Sequence, residues 1–486
     1  MQIKAIIPAL PEKTEKKSGL LYWAHRVVAE CESASQDFAA DPVHDLRVAI
    51  RRCRSMADGF LSVDPDPGWK QMKRMAKPLF AALGELRDVQ VMMEWVSKLS
   101  VPEDPARSIL LAELQAREAK LKEIAKQALA DFDRKHWITI NEHLSARSEK
   151  VPLGETVFQL LALERWIDAR ELHRKALRNR SGVAYHQLRI GIKRLRYTVE
   201  NFLPALHEKW SKDLRTLQDA LGEVHDFDVL WAMVRAHHEI SDEVCSHWHT
   251  VIQTERNKRL ELYRERMVGR QSLWNEWRAA LPIGDEVRRG GIEKLRLWAS
   301  FLDPDFENTK RIESVALHLY DGFAEHKVLH ADGRQRSWLE AAAFMHEIGG
   351  GKQDHGHRKR SSRMIRKITP PPDWSALDMQ AVAIIARYQR GNLAPATHPM
   401  FAGIPVRSRT PILRLAGLLR LAIALDGAAR SHEFQPDVSR KEGVVVITAD
   451  GLDTRVGPDG ERLARAKYLL EATCHVPIKL EHVPAG

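Results

Sequence analysis

Residues 43–54 read VHDLRVAIRRCR, and residues 185–196 read YHQLRIGIKRLR. At about 100° per residue, His44, Arg47, Arg51 and Arg54 fall within about 80° on one helix face, along about 15 Å. His186, Arg189, Lys193 and Arg196 repeat that geometry. A guanidinium forks onto phosphate oxygens with two hydrogen bonds, and lysine adds a mobile point charge. Such a stripe suits a phosphate-bearing polyanion. Val43, Leu46 and Ile50, with Leu188, Ile192 and Leu195 in the second segment, can face a core. A second basic stripe, Lys70, Lys73, Arg74 and Lys77, follows the first segment, and Lys209, Lys212 and Arg215 form a looser counterpart after the second. Two stripes in each of two segments would line a groove for a linear polymer.

The segments belong to a repeat. Each is followed by a second shared element, ALGELRDVQV (82–91) and ALGEVHDFDV (220–229), in the same order and at nearly the same separation. A single basic helix face is ordinarily just solvated, and Glu85, Asp88, Glu223 and Asp226 could pair with some of these charges. Recurrence of the pattern is what favours a ligand. The carboxylates could also orient the arginines or cap a neighbouring helix. The histidines could donate to phosphate or be buried structural residues. No aromatic set interleaves with the basic positions to stack bases, so the expected ligand is phosphate-rich and base-free, with nucleic acid the less favoured partner.

The elements that must hold these faces read mainly as helix, with apolar residues at three- and four-residue intervals, as in RTLQDALGEV (215–224). The 486 residues allow two or three domains, and 44% hydrophobic with 29% charged residues is ordinary for a soluble globular protein. A net charge of +10 agrees with an acidic partner but is weak evidence alone. Cys31, Cys53, Cys245 and Cys474 are scattered, with no CxxC pair, which supports neither a zinc site nor a disulfide framework. No uncharged run approaches the ~18–20 residues of a membrane span, and the first residues lack a leader pattern. The expectation is a cytoplasmic protein without membrane association. Breaks fall at PDPGW (65–69), VPEDP (101–105) and LPIGDEVRRGG (281–291), the last leading into a linker over 286–299. GVVVITADG (443–451) reads as a strand, and HVPIKLEHV (475–483) could pair with it.

HxxRVxxRRxR with the later LGxxRD element resembles the CHAD domain, a helical domain of two repeated bundles, over residues 20–285 (repeats 20–145 and 155–285) after a terminal segment 1–19. The resemblance implies a module that binds inorganic polyphosphate, often associated with polyphosphate granules. It carries over to His44, Arg47, Arg51, Arg52 and Arg54, then His186, Arg189, Lys193, Arg194 and Arg196. The stripe from Lys70 to Lys77 matches in character rather than by fixed motif. His225 stands where the first repeat has Arg87, and Pro78 is expected to kink the helix carrying Lys77.

In the C-terminal half, His346-Glu347 ends an apolar helix, His355 and His357 follow three glycines, and Arg358 to Lys367 holds six basic residues and no acid. LLRLAIALDGAAR places Asp426 at a helix end. A histidine, a His-acid pair and a distant Asp can ligate a divalent metal that activates water for phosphate-ester hydrolysis. Through MHEIG, HGHRKRSSRMI, IIARYQR and LLRLAIALD, residues 300–486 resemble the HD-type C-terminal domain of exopolyphosphatases and guanosine pentaphosphatases. An HD metal site uses His-Asp, whereas this chain has His346-Glu347. Asn308 stands where the first metal-binding His is expected, and His318 further along reads as incidental or packing. In those enzymes catalysis belongs to an upstream actin-like domain, and no Gly-rich phosphate loop of that kind occurs here. The expectation is therefore a non-catalytic module contacting polyphosphate through Lys352, His357, Lys359 and Arg360, with no cofactor firmly implied. The alternative is a metal-dependent phosphohydrolase of polyphosphate or a phosphorylated nucleotide, with His346, Glu347 and Asp426 on the metal. The expected fold is mainly α: a two-repeat bundle, then an HD-like helical domain with a small C-terminal sheet.

Overall fold

The computed structural model describes residues 19–350, 356–391, 398–428, 435–450 and 458–483. The chain divides into two compact units, residues 1–62 with 66–283, and residues 63–65 with 284–486. The first unit runs α1 (Leu20–Ala34), α2 (Ala40–Phe60), α3 (Gly68–Met75), α4 (Lys77–Leu99), α5 (Pro105–Ala130) and α6 (Arg134–Ser148). The second repeat runs α7 (Thr156–Asn179), α8 (Gly182–Phe202), α9 (Pro204–Ala236), α10 (Asp242–Met267) and α11 (Leu273–Ala279). The pairing also repeats: α1 lies on α2 and α4 on α5, as α7 lies on α8 and α9 on α10.

Local chemistry sets these boundaries. The VPEDP break becomes a helix start, with the Asp104 carboxylate accepting from the Ala106 N–H and Pro105 in the first turn. Ser181 caps α8 and Ser241 caps α10 in the same way. Proline has a larger effect at Pro78 than a kink. The helix breaks at Ala76, so α3 and α4 together occupy the sequence place of the single uninterrupted α9. The apolar faces of the two motif helices are fully buried: Val43, Leu46 and Ile50 on α2, and Leu188, Ile192 and Leu195 on α8, are each 0% exposed. The two helices also meet each other. Their C-terminal ends share an aromatic cluster in which Phe60 stands edge-on to Phe202 at 5.3 Å and stacks on Trp69 at 4.8 Å. Gly59 has no side chain because the Phe202 ring occupies its space.

The second unit begins with α12 (Asp285–Ser300), and here the expected linker is corrected. Residues 286–299 are helical because Ile292, Leu295 and Ala299 form one buried face, while Arg296 pairs with Glu313 at 2.7 Å and Glu340 at 2.8 Å. Gly291, read from sequence as a breaker, is a point of close approach, where a Cβ would stand 3.0 Å from the Trp374 indole nitrogen. Then come α13 (Phe306–Glu325), α14 (Gly333–Met345), α15 (His357–Ile365), α16 (Ala376–Arg387) and α17 (Val406–Ala428). Asp378, 1% exposed, ties α16 to α14 by accepting from Arg334 Nε at 2.7 Å and the Trp338 indole at 2.8 Å. These bonds, with others from Ser375, hold its carboxyl at about 2 despite burial.

The sheet follows as β1 (Asp437–Lys441), β2 (Val444–Asp450), α18 (Pro458–Cys474) and β3 (Ile478–Val483). β2 pairs with β3 in parallel, Ile447 opposite Leu480, and α18 supplies the connection that a parallel pair requires. β1 joins β2 antiparallel. Its sequence, DVSRK, lacks an apolar run, so nothing in its pattern marked it as a strand. The Gly451 end of the expected strand turn lies outside the described residues. No helix of the described residues is long and apolar enough to cross a membrane.

Candidate anion-binding site

The packing of α2 against α8 turns two basic stripes into one cluster. Lys193 of α8 lies in the field of Arg51 and Arg47 of α2 as well as of its helix neighbour Arg189. Arg47 likewise feels Arg51, Arg87 of α4 and Arg189. The second shared element closes the site from both sides. Asp88 of α4 acts on Arg47, Lys193 and His225, and also on Asp226 of α9. The rings of His186 and His225 stand 4.5 Å apart. Both copies of both elements therefore contribute to one place.

Burial first, and crowded positive charge next, shift the ionisable groups of the cluster. Burial, then Arg51, Arg189 and Arg47, pulls the Lys193 ammonium down to about 7. Burial and the same kind of neighbours pull Arg47 down to about 10. Burial lowers His44, His186 and His225, with Arg87 acting next on His44 and Arg189 next on the other two. Asp226 moves the other way, to about 6, raised by burial and by Asp88 against the pull of Arg189. Hydrogen bonding is incomplete. Arg51 Nη1 donates to the Tyr197 hydroxyl at 3.3 Å, but Arg51 Nε, Arg47 Nη1 and His186 Nδ1 are buried without a partner. A buried polar group left unsatisfied costs roughly 1–3 kcal/mol, more when charged. An anion with several acceptor oxygens meets both the excess charge and the unused donors.

The glycine of the ALGE element has a steric reason. A Cβ at Gly84 would stand 2.7 Å from Arg47 Nη1, so the guanidinium lies directly over the α4 backbone. At Gly222 the equivalent Cβ would be 3.9 Å from Arg189 Nε, an ordinary separation. Gly84→Ala is therefore expected to push the Arg47 head out of place and weaken anion binding by about tenfold, or about 1.4 kcal/mol. Helix propensity alone would add about 0.5–1 kcal/mol of stability. A thermal melt beside a binding titration checks both effects. Gly222→Ala is the control expected to bind as wild type does.

Other residues of the stripes sit elsewhere. Arg52 does not join the cluster: it pairs with Glu200, donates to Asn201 Oδ1 at 3.1 Å and lies over the Trp23 ring. Its neighbour in sequence, Arg51, points into the site because one residue turns a helix by about 100°. Arg54 is held between the Lys73 carbonyl, at 2.8 Å, and the Phe80 ring. Lys73 pairs with Asp58 and Arg196 with Glu200, the latter at 3.7 Å. His44 stands at the edge of the cluster, largely exposed but in the field of Arg87, Arg51 and Arg47, and Arg194, Lys70, Arg74, Lys77, Lys209, Lys212 and Arg215 are exposed. The sequence pattern did not mark Arg87, Tyr197 and His225 as site residues. Position 87 and its repeat partner 225 both carry a nitrogen donor, the one signal that could have flagged them.

In the second unit, Glu347 lies between two buried histidines, with Oε1 3.6 Å from His346 Nε2 and Oε2 3.5 Å from His357 Nε2. Asp426 instead pairs with Arg311 at 3.5 Å, and Arg311 also donates to Asn308 Oδ1 at 2.7 Å. His346, Glu347 and Asp426 therefore do not assemble as a ligand set. Among the described residues, no three His, Cys, Asp or Glu side chains form a group able to hold a metal ion. The residues expected to meet ligand here stand in different settings. His357 is 5% exposed, and Arg360 Nε donates to the Gly349 carbonyl at 2.7 Å. Lys359 is exposed, while Lys352 and His355 lie outside the described residues. His318, exposed on α13, bonds only locally to the Ser314 carbonyl at 2.8 Å.

Fold and site define a repeated helical domain with a shared cationic centre, followed by an α-helical domain with a three-stranded sheet. Comparison with known families gives the two parts their names. Residues 23–235 match the family model of the CHAD domain, and residues 287–447 match that of the Ppx/GppA phosphatase, domain III. The chain is thus similar to the CHAD domain in its first unit and to domain III of the Ppx/GppA phosphatases in its second. Among solved structures, the crystal structure of the CHAD domain from the plant Ricinus communis aligns with 54% of this chain and 88% of its own. That alignment has 20% sequence identity and a TM-score of 0.37. No curated protein sequence is significantly similar to the chain. Both families point to a function related to polyphosphate.

Proposed function

We propose that this protein binds inorganic polyphosphate in the cationic cluster shared by its two CHAD repeats, and so gathers or localises the polymer. The observation that carries this reading is the set of unused, buried donors, Arg47 Nη1 and Arg51 Nε, in a cluster where positive charge outweighs Asp88 and Asp226. Each interior phosphate of the polymer offers charged acceptor oxygens and no donor, which complements that lining. The exposed basic residues Lys70, Arg74 and Lys77, with Lys209, Lys212 and Arg215, give a long chain further points of attachment beyond the buried centre.

Titration of the full chain with long-chain polyphosphate at several salt concentrations tests the reading. Affinity is expected to fall linearly in log–log form, because bound counterions are released. Single-stranded RNA at matched charge is expected to compete poorly, since the cluster offers no stacking platform for bases. Equal competition by RNA would make the site a general polyanion surface, and absence of polyphosphate binding at low salt would end the proposal.

A further inference from the structure

The three-stranded sheet of the second unit has β1 at one edge and β3 at the other. The β1 edge is covered by α13. His326, at the end of that helix, bonds the Val438 carbonyl through Nε2 at 2.8 Å, and Val438 fills the space that Gly322 leaves. The β3 edge is different. The Val445 N–H donates to the Pro477 carbonyl at 3.0 Å, so the odd-numbered residues of β3 turn their backbone groups toward β2. Ile478 and Leu480 therefore turn theirs outward. Side chains of α18 hold the first of these: the Ile478 N–H donates to Glu471 Oε1 at 2.8 Å, and Lys467 Nζ donates to the Ile478 carbonyl at 2.7 Å. Among the described residues, no other element bonds the Leu480 N–H or carbonyl. Outward strand groups of this kind are a template for another strand.

Side-chain charge says which strand fits. Ile478 and Leu480 pack on the core of the unit, which leaves Lys479 and Glu481 on the opposite face. These two pair at 2.7 Å, with 65% and 39% of their side chains exposed. Lys479-Leu480-Glu481 is its own complement when it meets itself antiparallel. Centred on Leu480, each Lys479 stands opposite Glu481 of the second copy. Moving the centre by one residue sets Lys479 against Lys479 or Glu481 against Glu481, and like charges directly opposite are destabilising. The charge pattern therefore admits one register and rejects its neighbours.

We propose that a second copy of this chain adds to the free edge of β3, antiparallel about a two-fold axis at Leu480, so that one sheet runs through both copies. The two Leu480 residues exchange a pair of backbone hydrogen bonds, and two Lys479–Glu481 pairs flank them. Lys467 and Glu471 already hold the outward groups of Ile478, so the junction is short and its register rests on charge. Such a dimer is reversible and needs no polyphosphate.

Sedimentation equilibrium of the full chain, without polyphosphate and up to high micromolar concentration, tests it. Wild type is expected to show a monomer–dimer equilibrium. Lys479→Glu and Glu481→Lys each set like charges opposite one another at both flanking positions, and each is expected to weaken association by about tenfold or more. Both side chains are exposed, so neither change reaches the core. An equimolar mixture of the two variants is expected to regain wild-type association, because each copy then supplies the charge that the other lacks. A misfolded variant would not be rescued by mixing. A wild type that stays monomeric throughout, single variants that associate as wild type does, or a mixture that fails to recover would each overturn the proposal.

Discussion

The double substitution Arg47→Glu with Arg51→Glu is expected to weaken polyphosphate binding by about 10²–10⁴-fold. Each arginine offers a charged donor, and a hydrogen bond to a charged group contributes about 1.5–3 kcal/mol. The slope of log affinity against log salt should also become shallower by about one for each phosphate that is no longer neutralised. Arg189→Glu with Lys193→Glu should act similarly, because all four residues share one field. The melting temperature distinguishes a binding defect from a folding defect. These side chains repel one another in the free protein, so removing two of them should leave the melting temperature unchanged or raise it. Wild-type affinity in the double variant would refute the site. A sharply lowered melting temperature would mean that the cluster is structural instead.

The second large effect is on pH dependence. Lys193 is held at about 7 by burial and by Arg51, Arg189 and Arg47, with Asp88 opposing. A bound polyanion supplies the missing counter-charge and returns the ammonium toward its ordinary value. Binding between about pH 7.5 and 9.5 should therefore take up close to one proton, and affinity should fall by up to about tenfold per pH unit across that window. Titration in two buffers of different ionisation enthalpy measures the uptake directly. Lys193→Met should bind more weakly at pH 7 and lose the uptake. A wild-type heat independent of buffer would sink the idea. Stability of the free protein moves oppositely. The Lys193 value is lower folded than unfolded, so its cost is fully present below about pH 7 and is relieved as pH rises toward 10.5. Below pH 6.5 the lowered histidines, His44, His186 and His225, charge in turn and should strengthen binding further.

Several features of this molecule are written in local pattern. The repeat of VHDLRVAIRRCR in YHQLRIGIKRLR fixes two amphipathic helices, and Val43, Leu46 and Ile50 face the core as their spacing demands. The order of elements identifies both families, and the β-branched run at 444–447 forms a strand as its composition requires. Other features were hidden for equally physical reasons. Residues 286–299 look like a linker because two glycines and a charge run ordinarily break helices. They hold as α12 because Ile292, Leu295 and Ala299 bury one face and Arg296 finds Glu313 and Glu340, which are remote in sequence. β1 has no apolar alternation, since it borrows its order from β2.

Sequence alone determined which residues could meet a phosphate chain: two helical faces carrying His, Arg and Lys at a fixed period. Only the tertiary structure decided which of them come together. Packing of α2 on α8 sends Arg51 and Lys193 into one site and Arg52 to Glu200. In the second unit, folding leaves His357 buried beside Glu347 and sets Asp426 against Arg311. The reason is range. Helical periodicity is a local property that any short stretch displays. The sharing of charge and the satisfaction of hydrogen bonds are settled between groups that the chain brings together only on folding.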